Sequence, residues 1–324
     1  MPKPLVYVHR AGSWYPLYMN EDNEQRLRSF ARVASGGSRE EPVPPEELVR
    51  DMAGAEVIVS LNGVGVLDIT TEVLQQVGTV RAAFVSHWWG QHETARETWG
   101  AAGVEIFDVS DANSEAVAEW TVAAALMGVR HLVEFNRALK SGSPWGEPRR
   151  VYGMLAESVV GLVGLGRVGR HVARRLHAFG ATVIVHDAYL SAEAALEAGV
   201  RLVPLEELLR TADVISVHLP VTDETRRLFG ARELGWIRDG AVLINSARSV
   251  LFDPEALVAE LKKSRFTALI DVFEQEDPLP ADHPFRSMDN VFITPHVAGD
   301  TGPMFTRCGR TAIEAARRYL GGKS

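Results

Sequence analysis

The chain has 324 residues, of which 46% are hydrophobic and 23% charged, and its formal net charge is -8. This is the composition of a globular protein long enough for two domains, and its scattered basic residues predict no nucleic-acid partner. No apolar run approaches the roughly 18 residues of a membrane span and residues 1–10 lack a signal-peptide core, so we expect a cytoplasmic protein without a membrane partner. Cys308 is the single cysteine, and the histidines lack ligand spacing, so we expect no disulfide and no metal.

Short apolar runs in the first hundred residues predict a small α/β domain. The strand candidates are residues 5–8, 57–60, 80–85 and 104–107. A long pattern rich in Ala, Val and Leu over residues 114–140 predicts one helix leading into the rest of the chain.

A glycine-rich turn follows the apolar run 159–163. It comprises Gly164, Leu165, Gly166, Arg167, Val168 and Gly169. A strand that turns sharply into a helix through such glycines is typical of a dinucleotide site, with the pyrophosphate at the helix N-terminus. We predict the helix over residues 168–179 and a second strand over 182–185. Asp187 then lies where a carboxylate would accept hydrogen bonds from an adenosine ribose, which favours NAD over NADP.

Further apolar runs follow at regular intervals, separated by helical stretches. They are residues 183–185, 214–217, 242–244, 268–270 and 291–293. Runs that are apolar throughout fit parallel strands buried on both faces. Asp253 and Pro254 mark the start of one intervening helix, and residues 303–320 predict a final helix that returns to the first domain. We therefore predict an α/β fold of two Rossmann-like or flavodoxin-like domains, each a doubly wound parallel sheet, with a cleft between them.

Three side chains follow predicted strands at the edge where ligands bind in such sheets. They are Arg248, Glu276 and His296. An arginine can hold a carboxylate and polarise a neighbouring carbonyl, and a histidine can transfer a proton near neutral pH. A glutamate against that histidine would orient it and raise its pKa. Each residue alone also fits a surface or loop position, but the three together behind a dinucleotide motif predict reduction of a ketone.

Four segments resemble the signatures of the D-isomer-specific 2-hydroxyacid dehydrogenases. They are residues 217–220 with Thr225, residues 244–248, residues 271–274 and residues 294–296. The resemblance implies that Arg248, Glu276 and His296 are the catalytic set. It implies a substrate domain of residues 1–109 and 299–324 around an NAD domain of residues 110–298, and a homodimer formed through the NAD domain. The further NAD-binding residues are predicted to be His218, Leu219, Pro220, Thr225, Ser246, Ala247, Arg248, Asp271, His296, Ala298 and Gly299.

Departures from the family pattern bear on the substrate. Asp277 separates Glu276 from Pro278, so Asp277 is the alternative for the glutamate role. Ser249 and Val250 replace the usual residues after the arginine. The loop that presents backbone amides to the substrate carboxylate in this family reads Ser86-His87-Trp88-Trp89-Gly90 here.

Two interpretations of those tryptophans stay open: they pack into the domain, or at least one lines the substrate pocket. We predict that the substrate side comprises Arg10, Asn62, Gly63, His87, Trp88, Trp89 and Gly90. In this prediction Arg10 or His87 binds a second anionic group of the substrate directly.

The sequence thus predicts an NAD-dependent oxidoreductase that interconverts a small-molecule 2-oxo acid and a D-2-hydroxy acid. Formate and phosphite dehydrogenases resemble the chain but carry glutamine at the place of Glu276 and lysine near that of Trp89, respectively. The alternative from another class is an NAD(H)-sensing binding protein, similar to corepressors that resemble this family.

Overall fold

The computed structural model describes residues 2–86, 92–143, 153–273 and 279–322, without the side chains of residues 92–94. The chain forms two compact units. The split unit comprises Met1–Asn113 and Asp300–Ser324, and the central unit comprises Ser114–Gly299.

The split unit contains a parallel sheet of five strands within its described residues, in the order β2-β1-β3-β4-β5. The strands are β1 (Leu5–Val8), β2 (Arg32–Ser35), β3 (Ala55–Ser60), β4 (Ala82–Val85) and β5 (Glu105–Asp108). Its helices are α1 (Tyr15–Tyr18), α2 (Glu21–Phe30), α3 (Pro45–Asp51), α4 (Thr71–Val77), α5 (His92–Ala101) and, from the end of the chain, α13 (Gly302–Leu320). This strand order is flavodoxin-like, and it places the topological switch point between β1 and β3.

The central unit contains a parallel sheet of seven strands among its described residues, in the order β12-β11-β10-β9-β6-β7-β8. The strands are β6 (Val159–Val163), β7 (Thr182–His186), β8 (Arg201–Leu202), β9 (Val214–Val217), β10 (Val242–Asn245), β11 (Thr267–Ile270) and β12 (Val291–Ile293). Its helices are α6 (Asp111–Val129, which starts just before the unit boundary), α7 (Leu132–Lys140), α8 (Arg167–Ala178), α9 (Ala192–Glu197), α10 (Leu205–Thr211), α11 (Ala231–Trp236) and α12 (Pro254–Lys262). The order is that of a Rossmann sheet with one added strand, and its switch point lies between β6 and β9.

The core of the central unit covers both faces of the sheet. Along β10, Leu243 packs with Leu257 and Phe252 on one face, and the neighbouring Val242 and Ile244 belong to the opposite face. Because strands alternate their side chains between the two faces, a strand buried on both sides must be apolar at nearly every position. The apolar runs of the sequence therefore predicted these strands correctly.

Several predicted element ends are confirmed. The Asp253 side chain accepts the N–H of Ala256 at the start of α12, with Pro254 at its first position. Helix α8 ends before Gly180, whose φ of +79° is the left-handed conformation that glycine adopts most easily.

The predicted single helix over residues 114–140 is wrong, because the structure divides it into α6 and α7. His131, at the break, has a φ of +50°, which no α-helix accommodates, and its Nδ1 lies 2.9 Å from Glu134 Oε2. The two helices meet at a bend of 61°. The edge strands β2 and β8 were not predicted, because both are short and carry no buried residue.

No single helix within the described ranges has both the length and the hydropathy to cross a bilayer; only the bent pair α6 and α7 passes that test of length and composition.

Candidate active site

The glycine turn connects β6 to α8. Gly164 has a φ of +99°, and a Cβ there would lie 2.7 Å from the carbonyl oxygen of His218. A Cβ on Gly169 would lie 2.4 Å from the carbonyl oxygen of Gly164. Both glycines are therefore required by the close packing of the protein itself.

Gly166 is different, because a Cβ at this position would meet no protein atom within 4 Å. Gly166 is also the N-cap of α8, and no side chain caps the helix there. Open space in front of an uncapped helix N-terminus is what a bound pyrophosphate requires, since it accepts the first N–H groups of the helix. The turn therefore fits a dinucleotide, with Arg167 and Val168 beginning the helix.

Asp187 follows β7 and lies beside the turn. Its Oδ2 accepts the N–H of Leu165 at 2.8 Å, and its Oδ1 accepts the N–H of Tyr189 at 2.9 Å. The carboxylate thus ties the turn after β6 to the end of β7. Each oxygen retains capacity for a further hydrogen bond, so this geometry is compatible with the ribose contact predicted for Asp187.

The segment after β9 lies across the switch point from the glycine turn. The N–H of His218 donates to Val163 O at 2.8 Å, which continues the pairing of β9 with β6. Burial lowers the pKa of His218 to about 4, so its ring, 3.0 Å from Ser216 Oγ, is neutral at pH 7. Beyond the partly buried Leu219, the Thr225 hydroxyl donates to the carbonyl oxygen of Pro220 at 2.7 Å, and this bond closes the loop.

The segment after β10 carries Arg248. The buried side chain of Asn245 binds this segment twice, because its Nδ2 donates to Arg248 O at 3.1 Å and its Oδ1 accepts the N–H of Ala247 at 3.1 Å. Ser246 Oγ lies 3.3 Å from the hydroxyl of Thr121 on α6. The contacts of Asn245 and Ser246 thus fix the backbone next to the partly buried Arg248. The Nη1 of Arg248 donates to Ala247 O at 2.7 Å.

The segment after β12 is organised by Asp271, which follows β11 and is fully buried. Asp271 Oδ1 accepts the hydroxyl of Thr294 at 2.5 Å and the N–H of Val297 at 3.0 Å, and its Oδ2 accepts the N–H of Ala298 at 2.8 Å. A buried carboxylate is stable only when such donors replace its water. Asp271 therefore binds the Thr294 side chain before His296 and the backbone of Val297 and Ala298 after it.

His296 lies between Thr294 and Val297, which the Asp271 carboxylate binds. Its N–H donates to the backbone carbonyl of Asp271 at 2.8 Å, and its φ of +56° is a conformation that non-glycine residues seldom adopt. Such a conformation persists where the surroundings determine it, as here, and it is concentrated at functional sites. Gly299, which ends the central unit, is half-buried.

The three strand ends lie in one row. Strands β10, β11 and β12 are neighbours and parallel, so Arg248, Asp271 and His296 follow them at the same edge of the sheet. The glycine turn after β6 lies at that edge too, because all seven strands are parallel. This is the edge at which doubly wound sheets bind their ligands.

Several predicted site residues lie outside the described part of the chain. These are Glu276 and its alternative Asp277, and His87, Trp88, Trp89 and Gly90 of the predicted substrate loop. Ser86 is described, and its hydroxyl donates to Leu61 O at 2.8 Å.

The remaining substrate-side residues belong to the split unit. Asn62 is buried, its Nδ2 donates to Ala11 O at 3.1 Å, and it is followed by Gly63 with a φ of +77°. Arg10 is only 5% exposed, and its Nε lies 2.7 Å from Asp68 Oδ2.

The predicted site did not include Asn245, Thr294, Thr121 or Asp68. Asn245 and Thr294 stand in the segments that resemble the family, and their nearness to Arg248 and His296 in the sequence is the only signal for them. Thr121 and Asp68 act on residues 125 and 58 positions away, so no local pattern of the sequence could identify them.

The fold and the edge site define a dinucleotide-binding protein of the doubly wound α/β class. Residues 122–298, more than half of the chain, match the D-isomer specific 2-hydroxyacid dehydrogenase, NAD binding domain. The chain belongs to this family, and NAD is the cofactor of its central unit.

Known proteins of similar sequence and structure agree with this assignment. The chain is 31% identical to a glyoxylate reductase of Thermofilum pendens over 93% of this chain and 87% of that protein. It is 32% identical to a D-3-phosphoglycerate dehydrogenase of Methanocaldococcus jannaschii over 86% of this chain, which spans about half (52%) of that relative's length. A solved phosphoglycerate oxidoreductase from Rhizobium etli superposes with a TM-score of 0.81 at 25% identity, covering 99% of this chain and 96% of that one.

Proposed function

We propose that the protein is an NAD-dependent oxidoreductase that interconverts a 2-oxo acid and the corresponding D-2-hydroxy acid. The observation that carries this proposal is the row of strand ends bearing Arg248, Asp271 and His296 on the same edge as the glycine turn. Family membership and relatives named as glyoxylate reductase and D-3-phosphoglycerate dehydrogenase support it.

In this proposal each residue has one role in the reduction. Arg248 binds the substrate carboxylate and polarises the adjacent carbonyl, as a guanidinium can with its paired donors. His296 donates a proton to the carbonyl oxygen while the bound cofactor supplies the hydride. Glu276 holds the second ring nitrogen of His296 and keeps the imidazolium available. In the oxidative direction His296 accepts the proton back from the hydroxyl group.

The test is a panel of 2-oxo acids with NADH, followed by absorbance and by chiral analysis of the product. The wild type should turn over at least one of them to the D-isomer. His296→Ala should lower kcat by about 10²-fold or more, because general acid catalysis contributes typically 10²–10⁴. Binding of NADH should persist in that variant.

His283→Ala is the matched control, since this half-buried histidine follows β11 but precedes β12, and among the described residues its Nδ1 accepts the N–H of Phe285 in its own turn. It should leave kcat within twofold of wild type. Binding of NADH without turnover of any 2-oxo acid would contradict the proposal and favour the alternative of an NAD(H)-sensing protein.

We also propose that the substrate is selected by residues 86–90, with at least one of Trp88 and Trp89 in the pocket and His87 beside it. Trp88→Ala and Trp89→Ala should then change the ranking of 2-oxo acids by KM. An unchanged ranking in both variants would place the tryptophans in the packing of the domain.

The assembly is proposed to be a homodimer formed through the central unit. Helix α7 has no buried residue, and Leu132 and Leu139, two turns apart on one side of it, are 51% and 47% exposed. Exposed apolar side chains on one helical face are typical of an interface. Light scattering should give twice the chain mass, and Leu132→Glu with Leu139→Glu should give the monomer; a monomeric wild type would contradict this.

We also propose that the two domains divide at residues 109/110 and 298/299 and close over the substrate. The two compact units divide within four residues of the first boundary and one residue of the second. Protection of both boundary segments from proteolysis by NADH plus a 2-oxo acid analogue would support closure.

A further inference from the structure

The switch point of the split unit holds a buried ion pair beside a glycine-containing segment. Residues 9–10 follow β1 and the segment Asn62–Gly65 follows β3, and these two strands are adjacent. In a sheet of this order the crevice at the switch point is where a ligand binds.

We propose that Arg10 is a positioning residue, which through Asp68 and Gly65 holds the segment Asn62–Gly65 in the conformation that contacts the substrate. The proposal rests on the proposed function and deepens it. It replaces the direct contact between Arg10 and a second substrate anion that the sequence suggested.

The contacts of the guanidinium carry the first step. Arg10 Nε donates to Asp68 Oδ2 at 2.7 Å, and Nη1 donates to Glu40 O at 2.7 Å and more weakly to Arg39 O at 3.5 Å. The pair is buried, with 5% of the Arg10 side chain and 12% of the Asp68 side chain exposed. Two of the three guanidinium nitrogens, Nε and Nη1, therefore donate hydrogen bonds to other residues of the protein.

Asp68 extends the connection to a third part of the chain. Its Oδ2 also accepts the N–H of Val43 at 3.2 Å. The end of β1, the loop before α3 and the turn after Asn62–Gly65 are thus joined at one carboxylate. A single substitution at either member of the pair would release all three.

Gly65 connects the pair to the segment itself. Its φ is +70°, and a Cβ on it would lie 2.4 Å from Arg10 Nε and Nη2, so the guanidinium packs directly against the Gly65 backbone. His9 Nε2 lies 2.8 Å from Gly65 O, and this contact requires the tautomer with a proton on Nε2. Residues 9 and 10 therefore contact Gly65 from two sides.

This conformation of Asn62–Gly65 leaves two backbone N–H groups able to bind a ligand. Val64 N–H donates to Asn62 Oδ1 at 3.2 Å, but the N–H groups of Gly63 and Gly65 have no acceptor among the described residues. Both glycines have left-handed φ values, and turns of this kind create concavities of N–H groups that bind anions or carbonyl oxygens. A 2-oxo acid supplies oxygen acceptors of this kind.

Three variants and a matched control test the proposal. These are Arg10→Met, Asp68→Asn, the double variant, and Arg39→Met, which removes a half-buried arginine of the same loop that pairs with Glu47 instead. For each we would measure kcat, KM for glyoxylate and for 2-oxoglutarate, and Kd for NADH. Amide hydrogen exchange of residues 62–66 provides a readout that needs no turnover.

Each single variant should raise KM for both 2-oxo acids by a similar factor of about tenfold or more, because a misplaced contact segment weakens binding of any substrate. The double variant should be no worse than the more affected single variant, since the two residues act as one unit. Exchange at residues 62–66 should accelerate in all three, and Kd for NADH should stay within twofold. Arg39→Met should match wild type.

Other outcomes would overturn the proposal. If Arg10→Met raises KM for 2-oxoglutarate alone and Asp68→Asn does not, Arg10 contacts the substrate directly. If neither variant changes KM or exchange, the pair serves stability only. Should Arg10→Met fail to fold, Arg10→Lys, which keeps the charge but not the paired donors, must still raise KM.

A wild type that reduces no 2-oxo acid would refute the proposed function alone, because exchange at residues 62–66 would still report on the positioning role.

Discussion

The backbone N–H of His296 donates to the carbonyl oxygen of Asp271 at 2.8 Å, while the carboxylate of the same aspartate accepts the Thr294 hydroxyl before His296 and the Ala298 N–H after it. One buried residue therefore sets both the position and the left-handed conformation of His296. If His296 is the acid–base group that we propose, its backbone is already in place before substrate binds, which lowers the reorganisation needed for proton transfer.

Replacing Asp271 by Asn should damage both stability and turnover. The amide presents an NH₂ group to at least one donor that the carboxylate now accepts, so a buried hydrogen bond is lost. We expect the free energy of unfolding to fall by about 1–3 kcal/mol and kcat to fall by about tenfold or more. Urea denaturation and steady-state kinetics measure the two effects. Asp282→Asn, at an exposed position after β11, is the control and should change neither.

The glycines of the turn should separate into structural and ligand-binding positions. Gly166→Ala adds a methyl group that meets no protein atom, so the free energy of unfolding should stay within about 0.5 kcal/mol of wild type. NADH affinity should nevertheless fall by about tenfold or more, because the methyl group occupies the space of the pyrophosphate.

Gly164→Ala should instead destabilise the protein by about 1–2 kcal/mol, since its φ is +99° and its Cβ would approach His218 O. Fluorescence titration and thermal melts distinguish these outcomes. Loss of stability in Gly166→Ala with unchanged affinity would contradict the placement of the cofactor.

Asp187 should determine the preference for NADH over NADPH. Asp187→Asn removes the charge that repels a 2'-phosphate, so the ratio of kcat/KM for the two cofactors should shift toward NADPH by about tenfold. The amide can still accept one of the two N–H groups now bound, so some loss of stability should accompany the shift. If the ratio of kcat/KM with NADH to that with NADPH is the same in wild type and Asp187→Asn, Asp187 does not determine the cofactor preference.

The stability of the protein should decrease as pH falls from about 6.5 to about 4. Burial lowers the pKa of His9 to about 4, as it does for His218. The unfolded chain therefore binds protons that the folded one does not, and each histidine contributes stability that is complete above pH 6.5 and is lost toward pH 4. The shift corresponds to about 3 kcal/mol for the fully buried His9, and to less for His218, which is only partly buried and so more screened by solvent.

Urea denaturation of wild type and His9→Gln at pH 7.5 and pH 5 measures this effect. The difference between the two pH values should be smaller in His9→Gln, whereas His177→Gln, at an exposed position, should retain the wild-type difference. A parallel dependence in all three proteins would show that His9 is not the group that titrates.

Local patterns of the sequence were sufficient for most of the fold. The strands of the central unit were predictable because burial on both faces demands uninterrupted apolar residues, and the turn after β6 because only glycine meets its backbone requirements. The start of α12 was predictable from Asp253 and Pro254, since capping acts within a few residues. The break between α6 and α7 was not, because nothing in the apolar pattern marks His131 as left-handed.

The sequence by itself determined the class of fold and the dinucleotide turn, and it predicted Arg248 and His296 as site residues, because each of these inferences follows from neighbours along the chain. Only the tertiary structure decided how those residues are held. Hydrogen bonds whose partners meet only after the strands align hold these positions. Asn245 holds the Arg248 segment, Asp271 holds the His296 segment, and Asp68 holds Arg10. Such contacts depend on distance in space, which a one-dimensional pattern does not record.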